Sequence, residues 1–288
     1  MGFNTVNRRE LLKSCVAALG MRMFGRPLTD KIAVLDGGGA NVVALTTIDG
    51  LVLVDSGAPK SFAVSTKVPT LFNTHYHLDQ TGNNEVIAEA GAKIIAHERT
   101  RQWMSADYWV PAEDRYEKAR PKSAWPTEVF EAARSWNIGD EQIDCGYLPL
   151  AHTSGDIYVH FKNSNVLAVG DVASPERDPA LDYFTGAWIG GRVDAMDVLL
   201  KLANEQTKIV PAYGPVMTRA EFKAERDMMD EVRVRLFNQV REGEAPKDML
   251  EEGVLKGLAR AWKDPDKFVY DAAKGLWAHH DKIDPNVV

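Results

Sequence analysis

Two histidines two positions apart, His75 and His77, with Asp79 two positions further on, form the stretch of this chain best suited to chemistry. Neutral imidazole is a strong nitrogen ligand for zinc-like ions, and two imidazoles with a nearby carboxylate are most of a metal site. The polar segment 74–83 follows the apolar run Val68 to Phe72, which reads as a buried strand. Polar groups at the end of a strand can converge on a rigid base. Three further residues share this placement: His152 follows Tyr147 to Leu150, Asp171 follows a strand over Val166 to Val169, and Tyr213 follows a strand beginning at Lys208. Side chains at the same end of neighbouring strands can meet in one site. Three histidines with one or two carboxylates make a zinc-type site with a position open for water.

The elements that carry these residues alternate. Strands are expected at Lys31 to Leu35, Asn41 to Thr47, Leu51 to Asp55, Ala92 to Ala96 and Ile157 to Phe161. Helices are expected at Asn83 to Ala90, Thr100 to Asp107 and Asp194 to Asn204. Gly37, Gly38 and Gly39 lack the Lys-Ser/Thr of a phosphate-binding loop, so they read as positive-φ and close-approach positions. Tyr108 to Thr127 has no clean periodicity and reads as a lid or pocket wall, and Asp182 to Gly191 as a second aromatic, glycine-rich loop. Thr218 and Glu221 form a capping box that opens a helix to about Glu242, with two or three more helices to His280. The chain divides into a leader or N-terminal segment over 1–28, an α/β domain over 29–218, and a helical extension over 219–288 packed on the same domain.

The 288 residues are 45% hydrophobic and 26% charged, an ordinary globular balance. A net charge of -7 without a basic stripe argues against a nucleic-acid partner and leaves a small-molecule substrate. The two cysteines, Cys15 and Cys145, do not suggest a disulfide framework. No apolar run approaches the roughly 20 residues of a membrane span. Arg8 and Arg9, ahead of a short apolar stretch, resemble a twin-arginine export signal and point to the periplasm, the alternative being a basic N-terminal helix on a cytoplasmic protein.

Taken together, these segments resemble the metallo-β-lactamase fold superfamily. His75-Tyr76-His77-Leu78-Asp79 matches its His-x-His-x-Asp signature, and His152-Thr153-Ser154-Gly155-Asp156 its second histidine motif. Gly170-Asp171 matches its bridging carboxylate, and Val54-Asp55-Ser56-Gly57 its early turn. The resemblance covers about residues 30 to 218 and implies an αββα sandwich with metal at one edge, between the sheets. Two positions depart from the pattern: Gln80 and Tyr213 stand where the superfamily has second-metal histidines. A Gln carbonyl and a phenol are poor replacements for imidazole. The Gln-Thr-Gly and Pro-Ala-x-Gly-Pro-Val segments resemble a twin-arginine-exported subgroup of unclear substrate.

The resemblance implies one Zn²⁺ held by His75, His77 and His152, with Asp171 as a fourth ligand or anchor. Asp79 would orient the metal's water or accept its proton, and Tyr213 would hydrogen-bond an oxyanion. The expected reaction is hydrolysis of an ester, thioester, lactone or amide, and the alternative is a degenerate scaffold that binds metal or a partner without turnover. A di-iron redox role needs the ligands missing here. His97 and His160 are expected to be structural, His279 and His280 to form a solvated helix end, and Asp182 to lie at the surface. Trp103, Trp109, Trp125 and Trp188 could line an apolar pocket.

Overall fold

A computed structural model describes residues 25–61, 66–110 and 114–279. The expected export segment, Cys15 and His280 lie outside these residues. In chain order the first strands are β1 (Arg26–Pro27), β2 (Ile32–Asp36), β3 (Asn41–Thr47), β4 (Gly50–Val54) and β5 (Thr70–Phe72). Helices α1 (Leu78–Thr81) and α2 (Asn84–Glu89), strand β6 (Lys93–His97) and helix α3 (Glu98–Ser105) follow. Next come β7 (Tyr108–Val110), β8 (Arg115–Glu117), β9 (Glu128–Phe130), β10 (Ala133–Ile138), β11 (Glu141–Tyr147), β12 (Ile157–Phe161) and β13 (Val166–Gly170). The chain continues through α4 (Ile189–Leu202), β14 (Lys208–Pro211), α5 (Arg219–Glu242), α6 (Pro246–Glu251) and α7 (Pro265–Ala278).

These strands form two large sheets, in the orders β1-β2-β3-β4-β5-β6-β9 and β10-β11-β12-β13-β14. Strands β4, β5, β6 and β9 pair in parallel, as do β13 and β14. Parallel strands buried on both faces read as continuous apolar runs, which is why Leu51 to Val54 and Val166 to Val169 were legible. The inner faces meet through Val43, Val54, Phe72 and Ile95 on one side and Ile143, Ile157, Phe161 and Ala168 on the other. Truncating Phe161 to alanine there should cost about 3–5 kcal/mol. The outer face of the first sheet places Leu51, Leu53, Leu71 and Ile94 beneath Ile87 of α2. The outer face of the second packs Leu167, Val169 and Ile209 against α4, α5 and α7 through Met196, Phe222, Phe268 and their neighbours. The layers are helix, sheet, sheet, helix, the αββα arrangement expected.

The capping box forms as read, with the Thr218 hydroxyl accepting from the Glu221 backbone N–H. Gly38 and Gly39 have positive φ, and a Cβ on Gly57 would lie 2.6 Å from Gly37 Cα. Three readings need correction. The 108–127 stretch contains the β7-β8 hairpin and a 3₁₀ turn at Lys122–Ala124. The second glycine-rich loop ends early, because α4 already begins at Ile189 and includes Gly190 and Gly191. Strands β9, β10 and most of β11 carried no signal strong enough to be expected.

Candidate metal centre

The site gathers at the C-terminal ends of β5 and β13 and in the turn before β12. Segment 73–77 leaves β5 between the two sheets, and α1 follows at once, so His75, His77 and Asp79 share one short bend. Asp156 shapes the second bend: its carboxylate accepts from the backbone N–H groups of His152 and Thr153 at 2.7 Å each, and from the Thr153 hydroxyl at 2.8 Å. Gly170 has φ +57°, and a Cβ there would lie 2.9 Å from Thr74 Oγ1, so only glycine lets β13 end this close to the His75 segment.

His75 Nε2 lies 3.1 Å from His77 Nδ1, and His152 Nε2 lies 3.0 Å from the same atom. Tetrahedral zinc with bonds of about 2.0–2.1 Å sets its ligand nitrogens about 3.3 Å apart. The outer ring nitrogens fix the tautomers. His152 Nδ1 donates to the Ala180 carbonyl at 2.8 Å. His77 Nε2 donates to Asp182 Oδ2 at 2.7 Å, and the Tyr76 hydroxyl donates to the same oxygen at 2.6 Å. His75 Nδ1 faces Thr74 Oγ1 at 3.0 Å, and that hydroxyl gives its own hydrogen to Asp55 Oδ2 at 2.7 Å. With their hydrogens on the outer nitrogens, His75 and His152 turn Nε2 lone pairs toward His77 Nδ1. A proton on His77 Nδ1 satisfies those lone pairs, and so would a metal ion among the three atoms.

Burial holds His75 well below the usual imidazole range, helped by His152 and His77, and burial and His77 lower His152. Burial also acts downward on His77, but Asp182, with Asp79 and Asp171, carries it up to about 9. Asp171 stands 3.6 Å from His75 Nε2 and 3.9 Å from His152 Nε2. Burial, reinforced by Asp79, pushes its carboxyl up to about 7. Asp79 points to Tyr213, whose hydroxyl donates to its Oδ2. His75, His77 and His152 are therefore brought together as a group that can hold an ion, with Asp171 beside them and the Asp79–Tyr213 pair adjoining.

Asp182 does not lie at the surface, as expected from sequence; its carboxylate is turned inward to His77 and Tyr76. The reading missed it because it sits in a loop without periodicity. His279 is likewise no solvated end: it donates to the Gly186 carbonyl at 2.8 Å and packs on Trp188. His97 is structural, bonded to the Glu131 carbonyl and stacked on Tyr147, and His160 is buried in β12. Of the four tryptophans, Trp103 stacks on Tyr76 next to the centre, Trp188 packs into the helical core, and Trp109 is 40% exposed against Tyr116. Trp125 packs with Trp103 around Tyr76 and Met104.

A two-sheet sandwich with helices outside and three imidazoles converging at its strand ends defines a metallo-hydrolase type of scaffold. The family model described as the metallo-beta-lactamase superfamily matches residues 35–214, and the chain belongs to that superfamily of metal-dependent hydrolases. It is 24% identical over 146 residues to metallo-beta-lactamase IND-1 of Chryseobacterium indologenes, covering 51% of this chain and 55% of that protein. It is 22% identical over 237 residues to the alpha subunit of 2,4-dinitroanisole O-demethylase of Nocardioides sp. strain JS1661, covering 77% of this chain and 66% of that one. The chain thus spans just over half and just under two thirds of these curated relatives. Among solved structures, a metallo-beta-lactamase from Pontibacter korlensis shares the fold at a TM-score of 0.57 and 16% identity, over 72% of this chain and 98% of that one. Among the described residues no helix is long and apolar enough to cross a membrane.

Proposed function

We propose that this protein is a mononuclear zinc hydrolase of a small ester, thioester, lactone or amide. The observation that carries the reading is the convergence of His75 Nε2, His77 Nδ1 and His152 Nε2 on one another, each ring held by a partner behind it. His75, His77 and His152 would hold a divalent ion, which would supply Lewis acidity and lower the pKa of a water from about 16 toward 7. The residues supply the rest. Asp182 keeps the His77 ring turned and basic. Asp171, on the other side of the cluster, adds negative charge that favours a cation. Asp79 is the base placed to accept a proton from the attacking water, and Tyr213 acts through it by fixing its orientation. Tyr76, Trp103, Tyr108 and Phe184 stack in an aromatic group adjoining Asp182, which suits an apolar substrate portion.

The test uses protein purified without a histidine tag. Zinc is counted by mass spectrometry, and hydrolysis is followed across esters, thioesters, lactones and amides. About one zinc per chain is expected, with His77→Ala losing both metal and turnover. Asp79→Ala should keep the metal and lose about 10²–10⁴-fold in kcat, the usual contribution of a positioned base. Zinc without turnover on any of these substrates would favour a metal-binding scaffold instead.

A further inference from the structure

The two residues that stand where the superfamily has second-metal histidines, Gln80 and Tyr213, do not suit an ion. Gln80 is fully buried in α1, and neither atom of its side-chain amide is hydrogen-bonded within the protein. Tyr213 gives its proton to Asp79, and a neutral phenol with a committed hydrogen is no ligand. A third residue explains what stands there instead. The guanidinium carbon of Arg177 lies 3.2 Å from the centre of the Tyr213 ring. At that distance the planar guanidinium must lie flat on the ring, with its N–H groups directed outward from its edge.

We propose that the Arg177 guanidinium, stacked on Tyr213, takes the place of a second metal ion, so that the centre is built for one metal and one organic cation. The proposal rests on the one-ion reading of His75, His77 and His152. Its position is not that of a loose surface arginine. The backbone around it is pinned by the segment leading into α7: Asp178 accepts from the Lys263 and Asp264 backbone N–H groups at 2.9 and 2.6 Å. Lys263 Nζ donates to the Glu176 carbonyl at 2.8 Å, and Arg260 donates to the carbonyl of Arg177 itself. Among the described residues no carboxylate forms an ion pair with the Arg177 guanidinium, and the ring beneath it is the one whose hydroxyl donates to Asp79. Asp79, which accepts from Tyr213, and Asp171, beside His75 and His152, are like charges that repel each other. A guanidinium beside them offsets that repulsion, as a metal ion would, and repels any ion that tries to join it.

The experiment compares wild type, Gln80→His, Gln80→His/Arg177→Ala and Gln80→His/Arg177→Lys. Each is stripped with chelator, saturated with zinc chloride, desalted and counted for zinc, with circular dichroism to confirm folding and calorimetry for the second ion. Wild type, Gln80→His and the lysine double variant should each hold one zinc. The alanine double variant, with the same ligands as Gln80→His but no cation, should hold two, its second ion bound at least tenfold more tightly. Equal zinc in Gln80→His and the alanine double variant, or two ions in wild type, would overturn the proposal. No zinc in wild type would remove the one-ion reading and this inference together. If Gln80→His does not fold, Arg177→Ala alone decides. Arg177 is exposed, so its truncation spares the core, and second-ion affinity should rise at least threefold over wild type. No rise would overturn the proposal.

Discussion

At the scale of single residues, the centre is a set of three imidazoles, each held from behind by a hydrogen-bond partner. Asp182 illustrates how much the partner matters. Its carboxylate accepts from both His77 and Tyr76, and its charge leads the groups that raise His77 against burial. Such partners behind metal-ligating histidines usually contribute 10–100-fold in metal affinity. Asp182→Asn should therefore weaken zinc binding by about that factor, as measured by competition with a chromogenic chelator. Tyr76→Phe, which leaves the Asp182–His77 bond in place, should change it far less. His75, His77, Asp79, His152 and Asp171 were legible because ligand chemistry restricts residue type and each follows an apolar run. Asp182 and Arg177 were not. Their roles depend on how loops return to the centre, and neither lies at a spacing that a pattern could reveal.

At the scale of elements, the centre depends on how closely two strands approach. Gly170→Ala forces a side chain toward Thr74 Oγ1 at φ +57°. The expected cost is about 1–3 kcal/mol in denaturant unfolding, with weaker metal binding because Thr74 supports His75. A second element-level effect is independent of the metal. His160 in β12 is buried with Nδ1 unpaired, and burial with Lys162 lowers it from 6.5 to about 4 against the pull of Asp144. The folded ring holds its proton more weakly than the unfolded one. Stability present above pH 6.5 is therefore lost as the pH falls toward 4, by up to about 3 kcal/mol. Urea unfolding of chelator-treated protein should show this slope, and His160→Gln should flatten it.

The helices and strands that were not legible have physical reasons too. Ala133–Ile138 is an edge strand with four of its six residues exposed, and only Trp136 and Ile138 turn to the core, too short an alternation to mark it. Gly190 and Gly191 disfavour helix locally. Yet a Cβ on Gly190 would meet the Trp188 ring at 2.2 Å, and one on Gly191 the Leu150 carbonyl at 2.3 Å, so close packing dictates glycine there. By contrast, β3 through β5, β12, β13 and the capped start of α5 were readable because local pattern and tertiary burial agree.

For the whole molecule, the metal should act as a stabilising ligand that ties the two sheets together. His75 and His77 come from the first sheet's strand end and His152 from the turn between two strands of the second. Zinc at about a thousand times its dissociation constant adds about 4 kcal/mol to the folded state. For a chain of this size that corresponds to a rise in Tm on the order of 10 °C. Scanning calorimetry should show this difference between zinc-loaded and chelator-treated protein, and His152→Ala should abolish it. The helical layer formed by α4, α5 and α7 also reaches the centre, because the segment before α7 anchors the backbone that carries Arg177. Shortening the chain at the end of α5 should therefore disturb that edge of the site as well as the core.

Anomalous diffraction at the zinc edge, on crystals of tag-free protein, bears most directly on the central claim. One peak per chain is expected, within bonding distance of His75 Nε2, His77 Nδ1 and His152 Nε2, with the Arg177 guanidinium beside Tyr213 and no second peak near Asp79. The absence of a peak among the three imidazoles, or a pair of peaks bridged by Asp171, would contradict it.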